Sequence, residues 1–242
     1  SDSRFRQALY YAIDRQALVD NAASGHGVLD SPGLFAVDND WYNPDVEQYD
    51  YDQALTEELM TELGYSKVDG YFSRDGSPVE LEMLVTSLNE RAGELIRQQL
   101  DQAGFLISLR TVDSKTLDSL VSEWKFDLAL NSHGGMGADP EILKRMTGEG
   151  YTFNSARFTE NSDLNELLDQ EVAEIDEQKR EDLIDQIQVI HALELPVLPL
   201  YYADTYWAHD GTVDMYFTRH GIANGVPLAL NKQIFVNGGE TG

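Results

Sequence analysis

The sequence has no cysteine, few basic residues and no long apolar run, and each shortage removes a class of protein. Without cysteine there is no disulfide framework, no thiolate metal site and no thiol nucleophile. Basic residues number 17 against 43 acidic ones, for a net charge of −26, and only six of them are lysines. A surface of that sign repels phosphate, so DNA and RNA are excluded as partners. No apolar run approaches the roughly 20 residues of a spanning helix. There is also no initiating Met and no charged-then-apolar signal segment, which suits a chain processed or cut from something longer.

What is present is enough for a folded body. In 242 residues, 42% are hydrophobic and 10% aromatic, well above the composition of a disordered acidic tail. The acidic excess is spread along the whole chain: Asp30, Asp38, Asp40, Asp45, Asp50 and Asp52 in loops and caps, Glu57, Glu58 and Glu62 on a polar helix face. That distribution, with lysine scarce, resembles haloarchaeal proteins adapted to a saline medium. At about 1 M salt the Debye length falls to roughly 3 Å, and self-repulsion is largely screened.

Periodicity predicts the elements. From Asp2 to Arg15, Phe5, Ala8, Leu9, Ala12 and Ile13 fall on one helical face, with Ser3 as cap and Arg4, Arg6 and Arg15 off the stripe. Residues 25–44 read as a long surface loop whose Phe35, Trp41 and Tyr42 lie against the body. Asp50, with Gln53 in capping-box position, opens a helix with the stripe Ala54, Leu55, Leu59 and Leu63, stopped by Gly64. Tyr71 and Phe72, a turn at Asp75–Gly76 and the alternation Val79, Leu81, Met83, Val85 predict a hairpin. Then come a helix over 91–103, a strand over 105–112, a helix over 114–124 and a strand over 126–130. Helices over 163–175 and 179–195 follow, with Leu164, Leu167, Leu168, Leu183, Ile184 and Ile187 in the core. An edge strand over 196–202 comes next, and the last forty or so residues show no organised pattern. The alternation predicts one α/β domain over 1–242, a mixed sheet flanked by helices.

Five stretches carry a more specific message. The opening DSRFRQALYYAIDR resembles the segment that begins the second large lobe of family 5 extracellular solute-binding proteins, the oligopeptide-, dipeptide- and nickel-binding components of ABC importers. WYNPDVEQYDYDQALTEELMTELGY, IRQQLDQAGFLISLRTVD, KFDLALNSHGGMGADPE and LPVLPLYYADTYWAH resemble later family blocks, in the family's order. The resemblance implies a periplasmic-binding-protein-like (type II) lobe, with the first lobe of the same protein missing and the last forty residues belonging to the returning hinge. It further implies capture of oligopeptides or dipeptides in a cleft between two lobes, delivery to ABC permease subunits and no enzymatic step. Location would be extracellular and cell-surface anchored, with membrane association only through the full-length protein. A nickel chelate or oligosaccharide ligand, or a ligand-sensing domain of a transcription regulator, are the alternatives.

Candidate contacts follow from position. Residues 131–139, NSHGGMGAD, leave the carboxyl end of a strand, where open α/β sheets bind ligands, and Gly134, Gly135 and Gly137 let a backbone approach closely. Asp139 before Pro140 suits a helix cap as well as a ligand contact. The resemblance implies for Asp139 a pairing with a peptide's ammonium, while His133 and Met136 stand where some relatives place an aromatic or Arg. Asn154 and Arg157 follow a Gly-rich turn; Arg157 suits a carboxylate clamp or a surface pair with Glu160. Tyr216 is a candidate for the cleft wall among several packing aromatics. The histidines, His26, His133, His191, His209 and His220, have no metal-ligand spacing, and no Gly-x-Ser-x-Gly elbow is present. No cofactor is expected.

Overall fold

In the computed structural model, which describes residues 2–37, 39–132, 139–148, 162–204, 206 and 208, the opening motif folds as two helices rather than one. Asp2, not Ser3, caps α1 (Ser3–Tyr11), accepting from the Arg4 amide at 3.0 Å. Asp14 then adopts an extended conformation, and its carboxylate accepts from the Ala17 amide at 2.9 Å, starting α2 (Arg15–Asn21). The bend carries Arg15 into the interior instead of leaving it beside the apolar stripe. Its guanidinium donates to Tyr10 Oη at 2.8 Å, the Asp30 carbonyl at 3.1 Å and the Tyr49 carbonyl at 2.6 Å. Three chain segments thus share one charged group, which gives each of them a hydrogen bond.

The stretch 25–44, predicted as loop throughout, contains a short strand, β1 (Gly27–Leu29), and the loop after it lies against the body as its aromatics predict: Phe35 is buried, and Trp41 and Tyr42 half-buried. Asp52 rather than Asp50 caps α3 (Gln53–Glu62), accepting from the Ala54 and Leu55 amides at 2.8 and 3.0 Å. Thr56 and Met60 are the buried residues of this helix, while Ala54 and Leu55 of the predicted stripe are exposed. The next strands, β2 (Ser66–Val68), β3 (Tyr71–Arg74) and β4 (Ser77–Pro78), form an antiparallel sheet in that order. Asp75 and Gly76 take positive φ at its second turn. The hairpin's return arm is only β4; the alternating run beyond it belongs to another sheet.

That run is β5 (Glu80–Val85), followed by α4 (Glu90–Ala103), β6 (Leu106–Thr111), α5 (Ser114–Ser122) and β7 (Leu128–Ala129). The strands form a parallel sheet in the order β6-β5-β7. From β5 the chain crosses one way to β6, then back over β5 to β7. Two crossovers of one hand running in opposite directions must put their helices on opposite faces. Accordingly Met83 and Val85 pack with Ile96 and Leu100 of α4, while Leu84 packs with Leu117 and Val121 of α5. Gly93 permits this closeness: a Cβ there would lie 2.7 Å from Val85 Cγ1. Phe105, fully buried, meets Phe5 edge-on at 6.0 Å and Phe72 at 5.1 Å, tying α1 and the antiparallel sheet to the same core.

A second layer is helical: α6 (Glu141–Thr147), α7 (Ser162–Ala173) and α8 (Glu177–Glu194). Leu143, Leu164, Leu168, Ile184 and Ile187 pack there with Leu34 and Phe35 of the long loop. Arg6 of α1 donates from Nε to the Glu194 carbonyl at 2.7 Å, joining the end of α8 to the first layer. After α8 the predicted edge strand shortens to β8 (Tyr201–Ala203), antiparallel to β1. Among the described residues no helix is long and apolar enough to cross a membrane.

Candidate functional site

The carboxyl edge of the parallel sheet is where the chain leaves β5, β6 and β7, and the exit from β7 leads to Asp139. Of the two roles open to it in the sequence, the structure shows the cap. Its Oδ1 accepts from the Glu141 amide at 3.0 Å, capping the first turn of α6, and from the Arg180 guanidinium of α8 at 2.8 Å. Its Oδ2 accepts from none of the described residues, and the side chain is 61% exposed. One oxygen is therefore held by the protein, and no described residue meets the other. Loss of hydration pushes the Asp139 carboxyl upward, but the Glu141 amide and the Arg180 guanidinium outweigh it and leave the group below its usual range. At neutral pH it is an anion.

Behind Asp139 stands a group the sequence did not disclose. Arg180 donates from Nε and NH2 to one oxygen of Glu171, at 2.9 and 2.7 Å, and the Glu171 side chain is fully buried. The Trp41 ring centroid lies 6.0 Å from the guanidinium carbon. Burial pushes the Glu171 carboxyl up, opposed by the Arg180 charge. A signal for Glu171 exists in hindsight: with Leu164 and Leu168 it falls at i, i+4, i+7, so an acid stands on the apolar stripe of α7. Arg180, in a run of charged residues at the start of α8, carries no such mark.

Nearby in the same layer, His191 is buried and neutral. Thr147 commits its hydroxyl proton to the Leu143 carbonyl at 2.8 Å, so the contact of 3.0 Å between Thr147 Oγ1 and His191 Nε2 is donated by the imidazole. The other nitrogen, Nδ1, is buried and has no hydrogen-bond partner among the described residues, and desolvation takes the pKa down to about 3. A histidine in that state is a packing residue. Among the described residues no group of three or more His, Cys, Asp or Glu is placed to hold a metal ion. Of the other predicted contacts, His133, Gly135, Met136, Asn154, Arg157 and Tyr216 lie outside the described residues.

Comparison with known proteins gives this geometry a setting. A family model for bacterial extracellular solute-binding proteins, family 5 Middle, matches residues 1–153. Heme-binding protein A of Haemophilus influenzae is 26% identical over 207 residues, 81% of this chain and 36% of that protein. The oligopeptide-binding protein OppA of Bacillus subtilis is 24% identical over 233 residues, 88% of this chain and 41% of that protein. The solved oligopeptide-binding protein of Thermus thermophilus, complexed with a pentapeptide, superposes with a TM-score of 0.70 and 26% identity, covering 84% of this chain and 38% of that one. The chain thus spans about two fifths of the length of these relatives. Its fold is the α/β fold of periplasmic-binding-protein-like receptors.

Proposed function

The chain belongs to the family 5 bacterial extracellular solute-binding proteins, and from that premise we propose that it is the second lobe of a receptor that captures oligopeptides or dipeptides for an ABC importer. Proteins of this family bind solutes for transport and are not enzymes. The observation that carries the peptide reading is the Asp139 carboxylate, held by Oδ1 and open at Oδ2 on the exit from β7. A peptide brings a primary ammonium, which such a carboxylate binds by a charge-assisted hydrogen bond. Cleft ligands bury most of their surface, and a pocket between two lobes supplies what one lobe lacks. Closure of the lobes then converts occupancy into a shape that a permease reads, while ATP is consumed by partner subunits.

In this reading residues 1–242 form one lobe, with the last forty or so in the returning hinge. His133, Gly135, Met136, Asn154, Arg157 and Tyr216 stand as proposed contacts of the same cleft. The receptor works outside the cell, anchored at its surface through the full-length protein. A thermal-shift panel on the full-length protein tests it, with a random pentapeptide mixture, a nickel–histidine chelate and a manno-oligosaccharide. Peptides are expected to raise Tm. A rise with the chelate or the sugar alone would transfer the function to that ligand class.

A further inference from the structure

We propose that His26, Asp204 and Tyr206 form a metal site at the end of the β1–β8 ladder, built for a divalent transition ion of tetragonal preference, Cu(II) before Ni(II). The site is independent of Asp139 and of the transport reading. Its imidazole and its phenol stand 180 positions apart, so no spacing in the sequence announces it.

Local structure brings the three side chains together. After α2, Ser24 and Gly25 take positive φ and the His26 amide donates to the Ala23 carbonyl at 3.0 Å, so His26 is the residue that enters β1. Gly27 pairs with Ala203, and the Asp204 amide reaches the His26 carbonyl at 3.3 Å, which makes His26 and Asp204 the next facing pair. Facing residues of an antiparallel pair share one side of the ladder, and the period of two brings Tyr206 back to it. The phenol stands edge-on to the imidazole, with ring centroids 5.4 Å apart.

The three donor atoms have the spacing of a coordination plane. Tyr206 Oη lies 2.7 Å from His26 Nδ1 and 3.1 Å from Asp204 Oδ2, and those two atoms are 4.0 Å apart. A point midway between Nδ1 and Oδ2 is half of that 4.0 Å, about 2.0 Å, from each, and the median of the triangle puts it about 2.1 Å from Oη. These are metal–nitrogen and metal–oxygen bond lengths. Imidazole and carboxylate stand trans, and the phenol oxygen is close to a right angle from both. Three corners of a square do not suit the tetrahedron of Zn(II); tetragonal N and O sites suit Cu(II) or Ni(II), of which Cu(II) binds more tightly. The side chains of His26 and Asp204 are 62% and 50% exposed and Tyr206 is 68% exposed, so water would satisfy each of them and the trio adds little to stability. Exposure also leaves the fourth corner to a water molecule. Without metal the Tyr206 hydroxyl donates to Asp204, so the imidazole Nδ1 is the donor to Oη. An ion takes the place of both protons: the neutral imidazole keeps its own on Nε2, and the phenol proton passes to solvent.

The test is a titration of the untagged full-length protein, first stripped of metal by a chelator, with Cu(II) chloride. Visible absorption and electron paramagnetic resonance follow the binding. A phenolate-to-copper charge-transfer band and an axial resonance are expected to grow together and saturate at one ion per chain. Y206F should abolish the band, and H26Q and D204N should each weaken affinity by about tenfold or more, at least the scale of a lost supporting group. All three side chains are exposed, so the variants are expected to keep the metal-free Tm, and the loss then reports the site and not the fold. Ni(II) should bind the same residues more weakly. A band missing from the native protein or unchanged in Y206F would overturn the site. So would an affinity unchanged in either H26Q or D204N, copper then sitting adventitiously elsewhere. Tighter binding of Zn(II) than of Cu(II) would overturn the tetragonal assignment.

Discussion

The two layers of this molecule are built by different means. Around the parallel sheet, Phe5, Phe72, Phe105, Ile96 and Leu100 form an apolar core, and polar groups buried in the same layer, Arg15 and Thr56, are hydrogen-bonded. In the helical layer α6–α8 the core positions include Glu171, Gln188, His191 and Thr147, all essentially without solvent contact. Gln188 is fully used there, accepting from the Asn43 amide at 3.1 Å and donating to the Trp41 carbonyl at 2.7 Å, so it pins the long loop. Glu171 and His191 each keep one atom unpartnered. Burying polar groups lowers stability unless every bond is made. The apolar layer supplies rigidity, and the polar layer spends part of it to hold Arg180 against Asp139 at the start of α6.

The contrast can be pressed in four ways. Salt should act most strongly, because it acts on both layers. On going from molar to tenth-molar salt the Debye length grows from about 3 to about 10 Å. The full-length protein is then expected to melt earlier, with hydrogen exchange rising first in α8, where Asp185 is pushed up by lost hydration and by the neighbouring Glu181, Asp182 and Asp45. A Tm independent of salt would remove the halophilic reading of the −26 charge. Next, Phe105→Ala should cost about 3–5 kcal/mol by denaturant unfolding, since it empties the junction of three aromatic rings. A cost near zero would mean the apolar layer is not the stabilising one.

Titration separates the layers by sign. His191 has its folded pKa depressed to about 3 from 6.5, so unfolded chains bind the extra proton. Stability from this group is present above pH 6.5 and lost as pH falls toward 3, by a few kcal/mol. H191L should flatten that acid limb in urea titrations. Asp30, beside the Arg15 anchor of the first layer, runs the other way: desolvation raises its carboxyl to about 7 from 3.8. Its contribution is lost as pH rises through that window, so D30N should stabilise above pH 7, with a smaller effect because the group is only half-buried.

How much of this was legible follows the same division. Element order could be read because apolar periodicity reports the sheet core directly; the helix ending at Gly104 and the parallel strands around it lie within a residue or two of expectation. Boundaries failed where two caps competed, as with Asp50 against Asp52 and Ser3 against Asp2, because adjacent residues of capping type suit the position about equally. The break at Asp14 was hidden because Ala12 and Ile13 continue the stripe across it, although Asp14 is itself a capping residue. Gly93 gave no sign that Val85 lies against it, because that closeness depends on how α4 packs back onto the sheet and not on the local sequence. Asp139 came from the family resemblance. Arg180 and Glu171 could not be paired in advance, since nothing local fixes how α7 and α8 lie against the exit of β7. The polar residues standing on apolar stripes, Glu171 on α7 and Gln188 and His191 on α8, were the signal in the sequence, and they mark the layer that buries polar groups.

The most direct test of the account is calorimetry with one peptide that the full-length protein retains, titrated into that protein and into residues 1–242 alone. Micromolar or tighter binding by the whole and little or none by the single lobe is the expected result. Equal affinity for both would contradict a ligand shared between two lobes.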